Sequence, residues 1–319
     1  MTTTEIDIET EIAELKKKRN AVILAHYYQD SEIQDVADFV GDSLQLSREA
    51  AKTDADVIVF AGVLFMAETA KMLSPKKKVV LPDLKAGCSL VDSCPPALFQ
   101  AWREKYPDHV VVTYVNSSAE VKALSDYTVT SSNAEQVINA IPRDKPIIFA
   151  PDKNLGAWLA KKTGRPMRLW QGACIVHETF SERALIDLKT RHPQAAVLAH
   201  PECEEAVLRH ADYIGSTSGI IEAAKKRPEK EFIVATEAGI LHPLQLDAPG
   251  KTFIPLPTKA GCACNECPFM KKNTLEKVRD CLRDLTPEID LPPALLERAR
   301  KPIDAMFRVT EGKVPHHGD

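Results

Sequence analysis

Short, uninterrupted apolar runs alternate along the chain with longer segments whose apolar residues fall at helical spacing. The runs are AVILAH, DVIVFAG, KVVLPD, HVVVTYVN, YTVTSS, PIIFAP, MRLWQ, AAVLAH, YIGSTS, FIVATEAG and TFIPLP. Apolar runs without polar alternation suit strands covered on both faces, and strands separated by helices predict parallel sheets with helical crossovers. The expected fold class is therefore α/β, with helices on both sides of each sheet. The first twenty residues, MTTTEIDIETEIAELKKKRN, carry acids where a secretory leader would carry bases, and they read as an amphipathic helix.

Self-comparison adds organisation that local patterns lack. Three segments align without a gap: LAHYYQDSEIQDVAD, VTYVNSSAEVKALSD and LAHPECEEAVLRHAD. His26, Tyr114 and His200 each precede an aspartate, Asp38, Asp126 and Asp212, by 12 residues. Two residues past each anchor stand Tyr28, Asn116 and Glu202, and 17 past it stand Ser43, Ser131 and Thr217. A glycine-containing cysteine loop ends each repeat, at Cys88 in LKAGCSL, Cys174 in QGACIVH and Cys262 in TKAGCAC. This predicts three αβα units over residues 1–93, 94–178 and 179–272, related by a pseudo-threefold axis. The charged tail, 273–319, is expected to pack as helix on the first unit. A unit of about 86 residues buries little surface alone, so the three should pack together around that axis.

Composition narrows the partners. Lys+Arg total 41 against Asp+Glu 45, a net charge of −4, so no excess basic charge is available for a nucleic acid or an anionic membrane. The longest apolar stretch, VIVFAGVLFMA, falls short of the roughly 20 residues a membrane helix needs. A cytoplasmic protein is expected, in which eight cysteines are thiols, metal ligands or redox groups rather than disulfides. No G-x-G-x-x-G, G-x-x-x-x-G-K-[ST] or H-E-x-x-H motif occurs. The Lys162-Thr163-Gly164 triplet reads as a helix end.

In parallel α/β units, functional groups gather at the carboxyl ends of strands. Three units facing one axis would deliver His26, Tyr28, Ser43, Tyr114, Asn116, Ser131, His200, Glu202 and Thr217 to one central site. One cysteine per unit would offer three thiolates to a soft metal centre and leave its fourth position open, which is the requirement for a Lewis acid. The run Cys262, Cys264, Cys267 has the spacing of a metal or redox element, whereas Cys94, Cys203 and Cys281 read as packing thiols.

The segments ILAHYYQ, GDSLQLS, AGCSLVDSCP, YVNSSAEVKALSD, TSSNA, WQGACIVHE, AHPE, GSTSGI, ATEAGILH and CNECPFMKKNTLEK together resemble the quinolinate synthase family of NAD biosynthesis, in order and over nearly the whole chain. The resemblance implies an enzyme with three αβα domains and an oxygen-sensitive [4Fe-4S] cluster, held by three cysteines with one iron open. It implies condensation of iminoaspartate with dihydroxyacetone phosphate to quinolinate, phosphate and water, and functional coupling to the aspartate oxidase that produces iminoaspartate. Carried over residue by residue, the ligands are Cys88, Cys174 and Cys267. The third conflicts with the repeat register, which favours Cys262; the family pattern is preferred because loop spacing is the least constrained part of the alignment. Substrate contacts fall on His26, Ser43, Tyr114, Asn116, Ser131, His200, Glu202 and Thr217. Glu202, His200 and Tyr28 are the acid/base candidates, with the carboxyl of Glu202 expected to be pushed upward by desolvation. His177, three residues past Cys174, is left outside the core site. Two alternatives stand beside this reading: an iron–sulfur hydro-lyase acting on another dicarboxylic acid, and a thiol-redox or zinc-binding regulatory protein using only the C-x-C-x-x-C run.

Overall fold

The apolar runs become strands in a computed structural model that describes residues 7–261 and 265–311. After helix α1 (Ile8–Arg19), the first unit alternates β1 (Ala21–His26), α2 (Ser31–Val36), β2 (Phe39–Gly41), α3 (Ser43–Lys52), β3 (Val57–Ala61), α4 (Leu64–Leu73) and β4 (Lys78–Val80). Two connecting helices, α5 (Ser89–Asp92) and α6 (Pro96–Arg103), lead to β5 (Val110–Tyr114), α7 (Ala119–Lys122), β6 (Tyr127–Val129), α8 (Ala134–Ala140), β7 (Ile147–Ala150), α9 (Lys153–Thr163) and β8 (Met167–Leu169). Helix α10 (Glu182–Arg191) precedes β9 (Ala196–Ala199), α11 (Glu205–Leu208), β10 (Tyr213–Ile214), α12 (Thr217–Lys226), β11 (Glu231–Ala235), α13 (Leu241–Asp247) and β12 (Thr252–Pro255). The chain closes with α14 (Leu275–Asp284) and α15 (Pro293–Glu311).

Each unit holds one four-stranded parallel sheet, in the orders β2-β1-β3-β4, β6-β5-β7-β8 and β10-β9-β11-β12. The expected α/β class with three small parallel sheets is what the chain adopts. Central strands are buried along their length, as in VIVFA of β3, IIFA of β7 and AVLA of β9. The one strand not among the apolar runs is β2, whose FVG has only two apolar residues.

The repeated aspartate has a structural task. Asp38, Asp126 and Asp212 each accept, at 2.8 Å, the backbone N–H of the residue 15 positions earlier: Ile23, Val111 and Val197. In all three units this carboxylate ties the start of the second strand to the first. Gly164 at φ 64° ends α9 in the left-handed conformation, so Lys162-Thr163-Gly164 is a helix terminus.

One continuous apolar core joins the first two units and α15, through residues such as Phe60, Val112, Phe149 and Phe307. The tail divides its packing. Helix α14 lies on α1, α2 and β3 of the first unit, while α15 crosses from α4 to α7, β6 and α8 of the second. Cys94, Cys203 and Cys281 are buried in separate apolar clusters. No helix among the described residues is long and apolar enough to cross a membrane.

Candidate active site

The carboxyl ends of β1, β5 and β9 open on one cavity, in which the centres of water-sized groups have about 70 Å³ to occupy. The first unit lines it with His26, Tyr28, Ser43 and Cys88, the second with Tyr114, Asn116, Ser131 and Cys174, and the third with His200, Glu202, Thr217 and Cys267. Every candidate site residue from the repeat or the resemblance, within the described chain, is therefore in one place, while the repeated aspartates stay at their strands. Cys262 and Cys264 lie outside the described residues. His26 and Tyr114 end their strands, and His200 follows its strand directly. Ser43 and Thr217 open α3 and α12, where the free N–H groups and the helix dipole favour anions. Val63, Phe65 and Met66 form an apolar wall.

The two anchor histidines share one geometry. His26 Nδ1 accepts the Tyr28 backbone N–H at 3.1 Å, and His200 Nδ1 accepts that of Glu202 at 3.4 Å. A ring nitrogen that accepts carries no proton, so both imidazoles keep theirs on Nε2. Burial lowers His26 to about 4 against the pull of Asp42 and Glu202, and it lowers His200 to about 3. Both are neutral N–H donors near pH 7.

A chain of hydrogen bonds links all three units. Thr217 Oγ1 lies 3.0 Å from Tyr28 Oη, which lies 2.7 Å from Thr236 Oγ1. Thr236 Oγ1 lies 2.9 Å from His177 Nε2, and His177 Nδ1 lies 3.0 Å from Glu202 Oε2. Tyr114 donates to Glu202 Oε1 at 2.6 Å. An ionised carboxylate can only accept, so Tyr114 and His177 both donate to it, His177 from Nδ1, which also lies 3.2 Å from Cys174 Sγ. With a neutral His177 ring, Nε2 then accepts from Thr236, Thr236 from Tyr28, and Tyr28 from Thr217. His177 also stacks on His200, with ring centroids 4.7 Å apart.

That chain overturns the expectation for Glu202. Burial does push its carboxyl upward, but His200, His177 and the Tyr114 hydroxyl outweigh burial and hold it below the ordinary carboxylate range. Glu202 rests as a carboxylate with both oxygens occupied. The tyrosines move the other way: burial raises Tyr28 and Tyr114 well above 10, so both are hydroxyl donors.

Asp42 is the crosspiece of the site. Its Oδ1 caps α3 by accepting from Leu44 and Gln45, at 3.1 and 3.0 Å. Its Oδ2 accepts from Ser132 at 3.0 Å and Ser218 at 2.5 Å, the neighbours of Ser131 and Thr217. One buried carboxylate thus fixes the three repeat hydroxyls relative to one another.

The cysteine loops follow the fourth strand of each sheet. Burial raises Cys88 to about 12, Cys174 well above 9, and Cys267 as well, so all three are thiols until a metal displaces their protons. The Cys174 loop needs Gly172, where a Cβ would stand 2.6 Å from the Pro151 carbonyl. The Cys267 loop is held by Glu237, whose Oε1 accepts the Cys267 N–H at 2.9 Å and whose Oε2 accepts that of Gly239 at 2.6 Å. Among the described residues, Cys174, His177 and Glu202 also bring their ligand atoms within 4.8 Å of one another, close enough for a single ion.

Several site residues escape a reading of the sequence. His177 stands in plain view beside Cys174, but only its contacts to Glu202 and Thr236 give it work. Thr236 and Glu237 lie inside the run FIVATEAG, where an apolar reading conceals them. Asp42 carries the one available signal, an N-cap aspartate before Ser43 in GDSLQ.

Comparison with known proteins agrees with the geometry. The profile of the family described as "Quinolinate synthetase A protein" matches residues 10–308. A protein named quinolinate synthase from Microcystis aeruginosa is 60% identical over 304 residues, covering 95% of each chain. Its namesake from Synechocystis sp. is 58% identical over 95% of this chain and 96% of its own. That from Chloroherpeton thalassium is 58% identical over 96% of each. With the family profile spanning nearly the whole length and the cysteine, tyrosine and histidine positions converging on one cavity, the chain belongs to the quinolinate synthase family.

Proposed function

We propose that the protein condenses iminoaspartate with dihydroxyacetone phosphate, giving quinolinate, phosphate and water. The observation that carries the reading is the convergence on one cavity of a cysteine and three polar side chains from each repeat. The dicarboxylate and the phosphate meet the N-termini of α3 and α12 at Ser43 and Thr217. His26 and His200, neutral and protonated on Nε2, donate to carbonyl or carboxylate oxygens without adding charge. Asn116 and Ser131 complete the ring of contacts from the second unit. The apolar wall of Val63, Phe65 and Met66 limits water around reactive imine and enediolate species.

The proton transfers of isomerisation, ring closure and dehydration are assigned to the chain from Tyr28 to Glu202. Tyr28 is the acid candidate, its phenolate accepting from the Thr217 and Thr236 hydroxyls until a proton returns from product or solvent, and Glu202, as a carboxylate, is the base candidate. Such positioned acid/base groups contribute about 10²–10⁴-fold each.

The cofactor assigned here is a [4Fe-4S] cluster on Cys88, Cys174 and Cys267. The donor set fits: three half-buried cysteines, one from each unit, line one cavity. When bound, the cluster supplies a Lewis-acidic iron at the one vertex without a cysteine. The mixed set of Cys174, His177 and Glu202 supports a second reading, a single zinc-type ion, in which Cys88 and Cys267 take no part.

The units are divided at 1–93, 94–178 and 179–272, the sheets spanning 21–80, 110–169 and 196–255. The partners in this proposal are small molecules, iminoaspartate arriving from an aspartate oxidase, and the setting is the cytoplasm. The test is an anaerobic assay of quinolinate formation from the two substrates. Turnover that requires both supports the reading; hydration or dehydration of another dicarboxylate, with no quinolinate formed, contradicts it.

A further inference from the structure

Eight residues after each strand-end anchor stand Gln34, Lys122 and Leu208. Gln34 Nε2 donates to the carbonyls of Tyr27 at 3.1 Å and Gln29 at 2.9 Å. Lys122 Nζ donates to the carbonyls of Val115, at 2.8 Å, and Ser117. In both repeats these are the carbonyls on either side of the residue presented to the cavity, Tyr28 in the first and Asn116 in the second. The third repeat has no donor at this position. There Asn154 of the second unit reaches across and holds the Glu202 carbonyl, at 3.2 Å.

We propose that Gln34 and Lys122 are positioning residues, equivalent braces that lock the turns carrying Tyr28 and Asn116 into the site. Lys122 is fully buried. A buried ammonium costs several kcal/mol unless it is well satisfied, so its retention needs a reason beyond filling space. It finds two carbonyls, the opposing charge of Glu68, and the face of Phe65, whose ring centroid is 5.4 Å away and which also lines the cavity. Asn116 Oδ1 is buried with no hydrogen-bond partner among the described residues, so the brace holds an acceptor aimed at a ligand donor. The inference rests on reading Asn116 as a substrate contact.

The repeats themselves supply the substitutions. Lys122→Gln installs the first repeat's solution, and Lys122→Leu installs the third repeat's apolar residue without its substitute tie. In protein matched for metal content and far-ultraviolet dichroism, Lys122→Gln should keep kcat/KM within about 3-fold, and Lys122→Leu should lose about 30-fold or more. Because Lys122 acts through Asn116, adding Lys122→Leu to Asn116→Ala should cost less than about 3-fold further. Three results overturn the brace: near-normal kcat/KM in Lys122→Leu, a loss in Lys122→Gln as large as in Lys122→Leu, or fully additive effects in the double variant. Normal activity in Asn116→Ala would overturn the reading of Asn116 and, with it, the purpose of its brace. If Lys122→Leu fails to fold, Gln34→Leu in the Tyr28→Phe background gives the same cycle in the first repeat, with the same expected coupling.

Discussion

Replacing Glu202 by Gln changes the direction of a whole hydrogen-bond chain. In the native site both carboxylate oxygens accept, from Tyr114 at 2.6 Å and from His177 Nδ1 at 3.0 Å. An amide offers one acceptor and one donor. Tyr114 can keep its acceptor, so the new NH₂ faces His177, which must move its proton from Nδ1 to Nε2. His177 then donates to Thr236, Thr236 to Tyr28, and Tyr28 to Thr217, reversing every link. All groups stay paired, so folding should survive. Two charge-assisted bonds of about 1.5–3 kcal/mol become neutral ones of about 1, offset by the smaller desolvation cost of an amide. The expected net change in stability is within about 2 kcal/mol. Catalysis loses both the base and the orientation of the Tyr28 proton. A fall of at least about 10²-fold in turnover, roughly 2.7 kcal/mol of barrier, is expected. Nitrogen-15 shifts of the His177 ring report the tautomer, and anaerobic assay of cluster-matched samples reports the rate. An unchanged tautomer, or near-normal turnover with the tautomer reversed, would refute the reasoning.

Cys94→Ser, Cys203→Ser and Cys281→Ser should keep cluster absorbance and activity while losing about 1–3 kcal/mol of stability, because each puts a hydroxyl into an apolar cluster; loss of the cluster in any of them would contradict the ligand assignment. His26 is held at about 4 when folded against 6.5 for a free imidazole, so its burial favours the fold above pH 6.5 and that contribution fades as the pH falls toward 4. Urea titrations of metal-free protein should show wild type losing about 3 kcal/mol more than His26→Gln between pH 7 and pH 4, and parallel losses would count against a neutral buried ring. Asp42→Asn turns one shared acceptor toward Ser132 and Ser218 into a donor, so quinolinate affinity should fall about 10-fold or more with metal content intact; unchanged affinity by calorimetry would remove Asp42 from the positioning of the three hydroxyls.

Much of the site is legible in the sequence, because three copies of one unit repeat the same positions. A lone strand-end histidine says little, but His26, Tyr114 and His200 recur with matched residues at two and 17 positions beyond, and all of them meet. What the sequence conceals is whatever depends on contacts between repeats. Desolvation alone gives the wrong direction for Glu202, because it leaves out His200, two residues away, and the His177 and Tyr114 that the second unit brings against it. The role of Asp42 needs serines from two other units, and the role of His177 needs Thr236. Strand β2 escapes the apolar-run reading because FVG is too short to register, although the aspartate before it, Asp38, is one of the repeated positions. The tail shows its helical pattern but not that α15 straddles two units.

The central claim is that one cysteine from each repeat holds a single metal centre. Cys88 discriminates most directly, because it belongs to the three-thiolate set and not to the trio of Cys174, His177 and Glu202. Iron and acid-labile sulfide should be measured per chain in anaerobically prepared wild type and Cys88→Ser, each assayed for quinolinate. The account predicts about four irons and four sulfides in wild type, and loss of both metal and product in the variant. A variant that keeps its metal and still forms quinolinate would contradict it.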